Sequence, residues 1–261
     1  MFRATLGVLL ATVTAPAMEA QVWSAHRVHE LRDVDGIVPA SITHLAARPD
    51  GGFYLLDGME ARVVQYSPEG RVVRTFGRFG QGPGELSRLS TQLLLVGARL
   101  AVVDPGNQRL NLFGLDGAFE GSQPLTLGQA LATGWARAGG QLVCLSPPMP
   151  GGFGFDETGP SHTLWAIPLG GAGPERSLLR IRLKPGHDIT PGAAIVTVDL
   201  SAPKPLLASG AGGGMLLAVS DTYQIRVLDS AGRETASLGR NVTPRRYSSS
   251  EQQRLRAEAD S

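Results

Sequence analysis

Three pairs of oppositely charged residues recur along the chain at one spacing, with an Asp five residues ahead of an Arg: Asp57 and Arg62, Asp104 and Arg109, Asp221 and Arg226. A carboxylate and a guanidinium repeated in this way can do one of two things. They can ring a common mouth with polar groups that bind a ligand. Alternatively, each Asp can accept backbone amides at the end of a strand while the Arg stem packs alongside. Recurrence in every unit favours the second role, because a unique active site needs no copy in each repeat. Asn107 sits inside the second pair, so the weak ligand-binding candidates are Asp57, Arg62, Asp104, Asn107, Arg109, Asp221 and Arg226.

Other reactive residue types do not converge. His26 and His29 have H-x-x-H spacing and Glu30 follows, but zinc needs a further placed ligand, and nothing in the spacing brings His44, His162 or His187 to them. Asp156, Glu157 and His162 could make a small acid–base or cation site, and solvated loop charges are the stronger reading. The glycines from Gly77 to Gly84 superficially suggest a phosphate loop. Pro83 and the lack of a following Lys-Ser/Thr argue against one. No G-x-S-x-G elbow is present, and Cys144 lies in an apolar run that reads as a buried strand. These observations assign no catalytic residue, no metal ligand and no cofactor.

The elements that carry the pairs are short strands. Hydrophobic residues make up 42 % of the 261 residues and charged ones 18 %, enough to build a core, and the net charge of +1 disfavours a nucleic-acid partner. Gly is present 34 times and Pro 18 times, a composition suited to many tight turns. Phe53–Asp57 and Arg62–Tyr66 are apolar runs joined by a polar link, followed by the turn Ser67–Gly70 and a further run to Phe76. The pattern returns at Leu100–Asp104 and Arg109–Phe113, and again at Met215–Val219 and Arg226–Leu228. Asp57 and Asp104 are 47 residues apart, the length of one four-stranded propeller blade. Gln141–Leu145 and Thr163–Ile167 read as central strands of a divergent third unit, with 146–161 a long exposed loop.

The fold class that follows is all-β: a β-propeller, or an incomplete one, of four-stranded antiparallel blades with a short C-terminal helix. Units are expected at 42–88, 89–130, 131–190 and 191–240. Residues 241–261 form a polar tail whose helix starts near Ser248–Ser250. Residues 1–20 read as a secretory signal: Arg3, the apolar stretch Leu6–Val13, then Ala15-Pro16-Ala17. Residues 21–41 form an N-terminal segment in which Val22–Val34 could add a strand to the last blade. The apolar stretch is too short to span a bilayer, so the mature chain is expected to be exported, periplasmic or extracellular, without a membrane span. A single cysteine excludes an intramolecular disulfide.

The segment Phe76-Gly77-Arg78-Phe79-Gly80-Gln81-Gly82-Pro83-Gly84-Glu85-Leu86 resembles the inter-blade connection of exported bacterial six-bladed propellers of the NHL-like group. Val102–Leu110 is similar to that group's valine-aspartate, glycine-asparagine, arginine strand pair. Six blades of this length would need roughly 270 residues after the signal, and four units are visible. The resemblance implies a binding scaffold for a protein, peptide or glycan. The alternatives are a lyase or hydrolase with a site in the central channel, and a non-functional fragment of a larger propeller.

Overall fold

The computed structural model describes residues 37, 39–148, 155–156, 159–171, 173–182, 203–220, 222–240 and 248–259. These residues fall within the unit Leu31–Ser261. The expected signal (1–20), the strand proposed within Val22–Val34 and the histidines His26, His29 and His187 lie outside the described residues.

Four antiparallel sheets follow one another along the chain. The first holds β1 (Ile42–Ala47), β2 (Phe53–Asp57), β3 (Arg62–Tyr66) and β4 (Val72–Phe76). The second holds β5 (Gln92–Val96), β6 (Arg99–Asp104), β7 (Arg109–Gly114) and β8 (Phe119–Pro124). A one-turn helix, α1 (Leu127–Ala130), leads into β9 (Gly134–Ala138) and β10 (Gln141–Ser146). The third sheet is then completed by the two-residue β11 (Phe155–Asp156), β12 (Gly159–Pro168) and β13 (Arg176–Arg182). The fourth holds β14 (Pro205–Ser209), β15 (Met215–Val219), β16 (Gln224–Leu228) and β17 (Glu234–Gly239), and α2 (Ser249–Ala259) follows. Sheets one, two and four meander in chain order, and the third runs β9-β10-β12-β13 with β11 paired to the start of β12. The arrangement is a four-bladed β-propeller.

Side-chain alternation explains the stacking. The second and third strands of sheets one and two bury both faces and read as near-continuous apolar runs: every residue from Leu100 to Asp104 is buried. Tyr54, Leu56 and Val63 of sheet one meet Leu93, Leu100, Val102 and Phe113 of sheet two. Val103 and Leu110 meet Leu142, Cys144 and Ile167 of sheet three. Val143, Leu145 and Leu164 meet Met215, Leu217 and Leu228 of sheet four. Full burial of such side chains contributes about 1.5–3 kcal/mol each. Among the described residues no core cluster joins sheet four to sheet one, and Leu206, Ile225 and Leu238 of sheet four are exposed.

Two expectations meet the structure at the ends of elements. The loop expected over 146–161 is partly sheet, because β11 occupies Phe155–Asp156 and β12 begins at Gly159. Ladder pairing of Ser161 with Arg182 and of Phe155 with Pro160 carries the strand past the point where its hydrophobicity stops, and hydrophobicity was the only signal in the sequence. The C-terminal helix starts as expected. The Ser248 backbone N–H donates to Glu251 Oε2 at 2.8 Å, and the Glu251 N–H donates to Ser248 Oγ at 3.4 Å, a reciprocal cap. No helix among the described residues is long and apolar enough to cross a membrane.

Candidate functional site

At one end of sheets one and two the hairpin between second and third strands meets the segment that leads into the sheet. Asp104, the last residue of β6, is fully buried there. Both its carboxylate oxygens accept the Ser87 N–H at 3.2 Å, and Oδ1 also accepts the Ser87 hydroxyl. Oδ2 accepts the amides of Asn107 at 2.8 Å and Asn111 at 3.4 Å. Asp57 holds the equivalent place at the end of β2. It accepts the N–H groups of Ala40 and Ser41 at 3.1 Å and of Glu60 at 3.4 Å, with Arg62 Nη2 also at 3.4 Å. Each Asp faces its Arg directly across the ladder, Asp57 opposite Arg62 and Asp104 opposite Arg109. The four-residue links that bring this about each end in a non-glycine residue of left-handed backbone, Ala61 (φ 50°) and Gln108 (φ 47°).

Arg109 fastens the glycine-rich connection itself. Its guanidinium donates to the carbonyls of Gln81 and Gly82 at 2.9 Å and of Glu85 at 2.8 Å, while the Asn107 amide donates to Gly80 O at 3.0 Å. Gly77 and Gly84 take φ of +77° and +72°, a conformation that L side chains resist, which explains two of the glycines in this segment. The Gly82 N–H and then the Arg78 guanidinium hold the Glu85 carboxyl below its ordinary value.

In the third Asp–Arg pair only Arg226 can be placed, and it does not take the position of Arg62 and Arg109. Asp221 lies outside the described residues. Arg226 is the third residue of β16, opposite Leu217, and its Nε donates to Glu234 Oε2 on β17 at 2.7 Å. The strand ends where Asp57 and Arg62 stand in sheet one are Val219 and Gln224 in sheet four, so Arg226 lies two residues inside its strand. In sheet three the matching position is Ser146, at the end of β10 and opposite Thr163. A strand alignment would have revealed this, since Gln141–Ser146 (QLVCLS) parallels Arg99–Asp104 (RLAVVD).

Above the buried carboxylates the same end of the molecule is apolar and open. Met59, in the hairpin after Asp57, is 56 % exposed. Phe79 and Leu89, in the connection that Asp104 and Arg109 hold, are 60 % and 66 % exposed. Arg88 joins two of them: its Nε donates to Met59 O at 3.1 Å, and its guanidinium lies 4.5 Å from the centre of the Phe79 ring. One blade further on, Leu127 and Leu131 beside α1 are exposed as well. Sequence reading passed over these residues, because apolar residues in a connection carry no sign of exposure until the strands around them are placed.

The remaining reactive groups are dispersed. Burial pushes the Cys144 thiol up to about 12, and the Glu175 charge adds to the effect. Burial lowers His44 and His162 below the ordinary histidine value. The His44 ring accepts the Leu93 N–H at 3.4 Å through Nδ1. Glu157 and the Asp156 side chain lie outside the described residues. Among the described residues no group of three or more His, Cys, Asp or Glu is placed to hold a metal.

No family model matches the sequence, and no curated protein matches it. Solved structures do match its fold. A presumed exported protein from Bacteroides fragilis superposes with a TM-score of 0.55 at 14 % identity, covering 77 % of this chain and 51 % of its own. A streptogramin B lyase gives 0.46 at 10 % identity, covering 76 % and 54 % respectively. BamB from Moraxella catarrhalis gives 0.38 at 13 %, covering 78 % and 53 %. The chain spans about half the length of these structures. The first likeness identifies the propeller fold and nothing finer.

Proposed function

We propose that this chain is an exported propeller scaffold that binds a protein, peptide or glycan through the connection end of its blades. The observation that carries the reading is the cluster of Met59, Phe79 and Leu89, more than half exposed and set on a base held by buried carboxylates. Exposed apolar side chains gathered on one rigid surface are the usual mark of an interaction site. Arg88 over Phe79 gives that surface a cationic, planar group of the kind enriched at binding hot spots. On this reading Asp57, Arg62, Asp104, Asn107 and Arg109 support the face from below. Export rests on the order of basic start, apolar stretch and small-residue exit within residues 1–20, and the Bacteroides fragilis neighbour carries the same description. Kinship with the six-bladed NHL-like group rests on the Phe76–Leu86 and Val102–Leu110 segments.

The test compares the native chain with a Phe79→Ser/Leu89→Ser double variant on peptide and glycan arrays, with circular dichroism as the control for folding. Ligands retained by the native chain and lost by the variant are expected. Identical retention by both would move the binding surface elsewhere. Export is tested separately, by fusing residues 1–20 to a reporter active only outside the cytoplasm.

A further inference from the structure

Sheet three departs from the clasp at one position, and a cavity lies there. The Thr91 N–H donates to Val103 O at 3.0 Å in sheet two, and the Thr133 N–H donates to Leu145 O at 2.9 Å in sheet three. The next residue, Asp104 in one and Ser146 in the other, therefore holds the same place beneath the arriving connection. Ser146 is 2 % exposed, and its Oγ has no nitrogen or oxygen partner, only the weakly bonding Cys144 thiol two residues back on the same strand face. A buried hydroxyl so weakly paired calls for an explanation. In front of it lies a space of about 230 Å³ lined by Thr126, Gly128, Gln129, Ser146, Trp165 and Glu175.

The bonds of the lining define what can enter. Gln129, 2 % exposed, is held at both ends of its amide: its Oε1 accepts the Thr126 N–H at 2.8 Å and its Nε2 donates to Glu175 Oε2 at 2.5 Å. Glu175 has no cationic partner among the described residues, so a half-buried carboxylate faces the space with acceptor capacity to spare. The Ser146 hydroxyl adds a second acceptor, and Trp165 adds an indole wall. Anions are repelled by this lining. An ammonium group has three donors and no acceptor, and it is attracted to both a carboxylate and an indole. The volume admits roughly five to eight heavy atoms, given about 30 Å³ for each water-sized unit.

We propose that this cavity between α1 and sheet three is a binding site for a small primary alkylammonium ion held by Glu175, Ser146 and Trp165. The site is separate from the apolar connection face and does not depend on it. The probe is n-butylammonium, titrated calorimetrically into the full chain, with n-butanol as the neutral analogue and glucose as a polyol of similar size. Saturable binding of the amine is expected, with n-butanol at least about tenfold weaker, the loss of one charge-assisted contact. Glu175→Gln keeps the shape and the bond to Gln129 and is expected to weaken the amine by a similar factor. Ser146→Val removes the hydroxyl acceptor and narrows the space with an added methyl group, and is expected to weaken the amine at least about tenfold, with thermal melting as the check that it folds. The Phe79→Ser/Leu89→Ser variant is expected to bind the amine as the native chain does, whatever becomes of the connection face. The proposal is overturned if no saturation is seen up to about 100 mM amine, a limit beyond which affinity is negligible. It is equally overturned if butanol matches the amine, if Glu175→Gln binds unchanged, or if glucose binds in place of the amine.

Discussion

Sheets two and three solve the same problem in different ways. Both must seat a connection arriving from the preceding blade against the end of their second strand. Sheet two uses the buried Asp104 carboxylate, which gathers Ser87, Asn107 and Asn111, while Arg109 ties down the glycine-rich segment through three carbonyls. Sheet three places Ser146 there, opposite Thr163, and its connection folds on itself. Thr126 and Gln129 cap α1 reciprocally, and the one-turn helix spans a space that the carboxylate network fills in sheet two. The same β framework thus tolerates either a filled polar clasp or a small polar cavity. The first gives rigidity and the second gives room for a ligand.

The largest expected effect comes from removing the filled clasp. Asp104→Ala takes an acceptor from the Ser87 N–H and hydroxyl and from the Asn107 and Asn111 amides, and leaves Arg109 without its opposing charge, at an expected cost of about 3–5 kcal/mol. Ser146→Ala removes a hydroxyl that has no nitrogen or oxygen partner and is expected to change stability by less than about 1 kcal/mol. Urea denaturation of the two variants measures the contrast, and equal losses would dissolve it. Arg109→Lys keeps the charge but cannot reach three carbonyls in one plane, so a loss of about 1–2 kcal/mol is expected in the same measurement.

Mild acid should act on two half-buried imidazoles. Burial lowers His44 in the folded state below its unfolded value of 6.5, so the unfolded chain takes up the proton more readily. The contribution of His44 is therefore present above pH 6.5 and is lost as the pH falls below that value. His162 acts in the same direction. Protonation also removes the acceptor for the Leu93 N–H that joins β1 to β5. Thermal melts are expected to drop between about pH 7.5 and pH 5.5, and His44→Gln should flatten that drop. The smallest effect is at Cys144. With the thiol held up to about 12, labelling by iodoacetamide near pH 8 is expected to be negligible in the folded chain and rapid in urea.

Much of the framework was legible in the sequence because apolar runs of five residues, bounded by Gly, Pro and Asp, have few other ways to fold. Phe53–Asp57, Arg62–Tyr66, Leu100–Val103 and Gln141–Leu145 all lie in strands where the pattern puts them. Register was less legible. Asp221 and Arg226 copy a spacing, but the β15–β16 ladder sets Arg226 opposite Leu217, two residues inside the strand start at Gln224, and counting residues from Asp to Arg cannot detect that. The Ser146 cavity was hidden for another reason. It is defined by a carboxylate that is present at the end of β2 and β6 and replaced by Ser146 at the end of β10, a difference visible only once the strands are aligned with one another.

Amide hydrogen exchange resolved over the two connections tests the comparison most directly. The segment 77–91, tied to Asp104 and Arg109, is expected to exchange far more slowly than 125–133, whose bonds are largely local to α1. Asp104→Ala should bring the first segment to the rate of the second. Equal protection in the native chain, or protection of 77–91 that survives Asp104→Ala, would contradict the clasp.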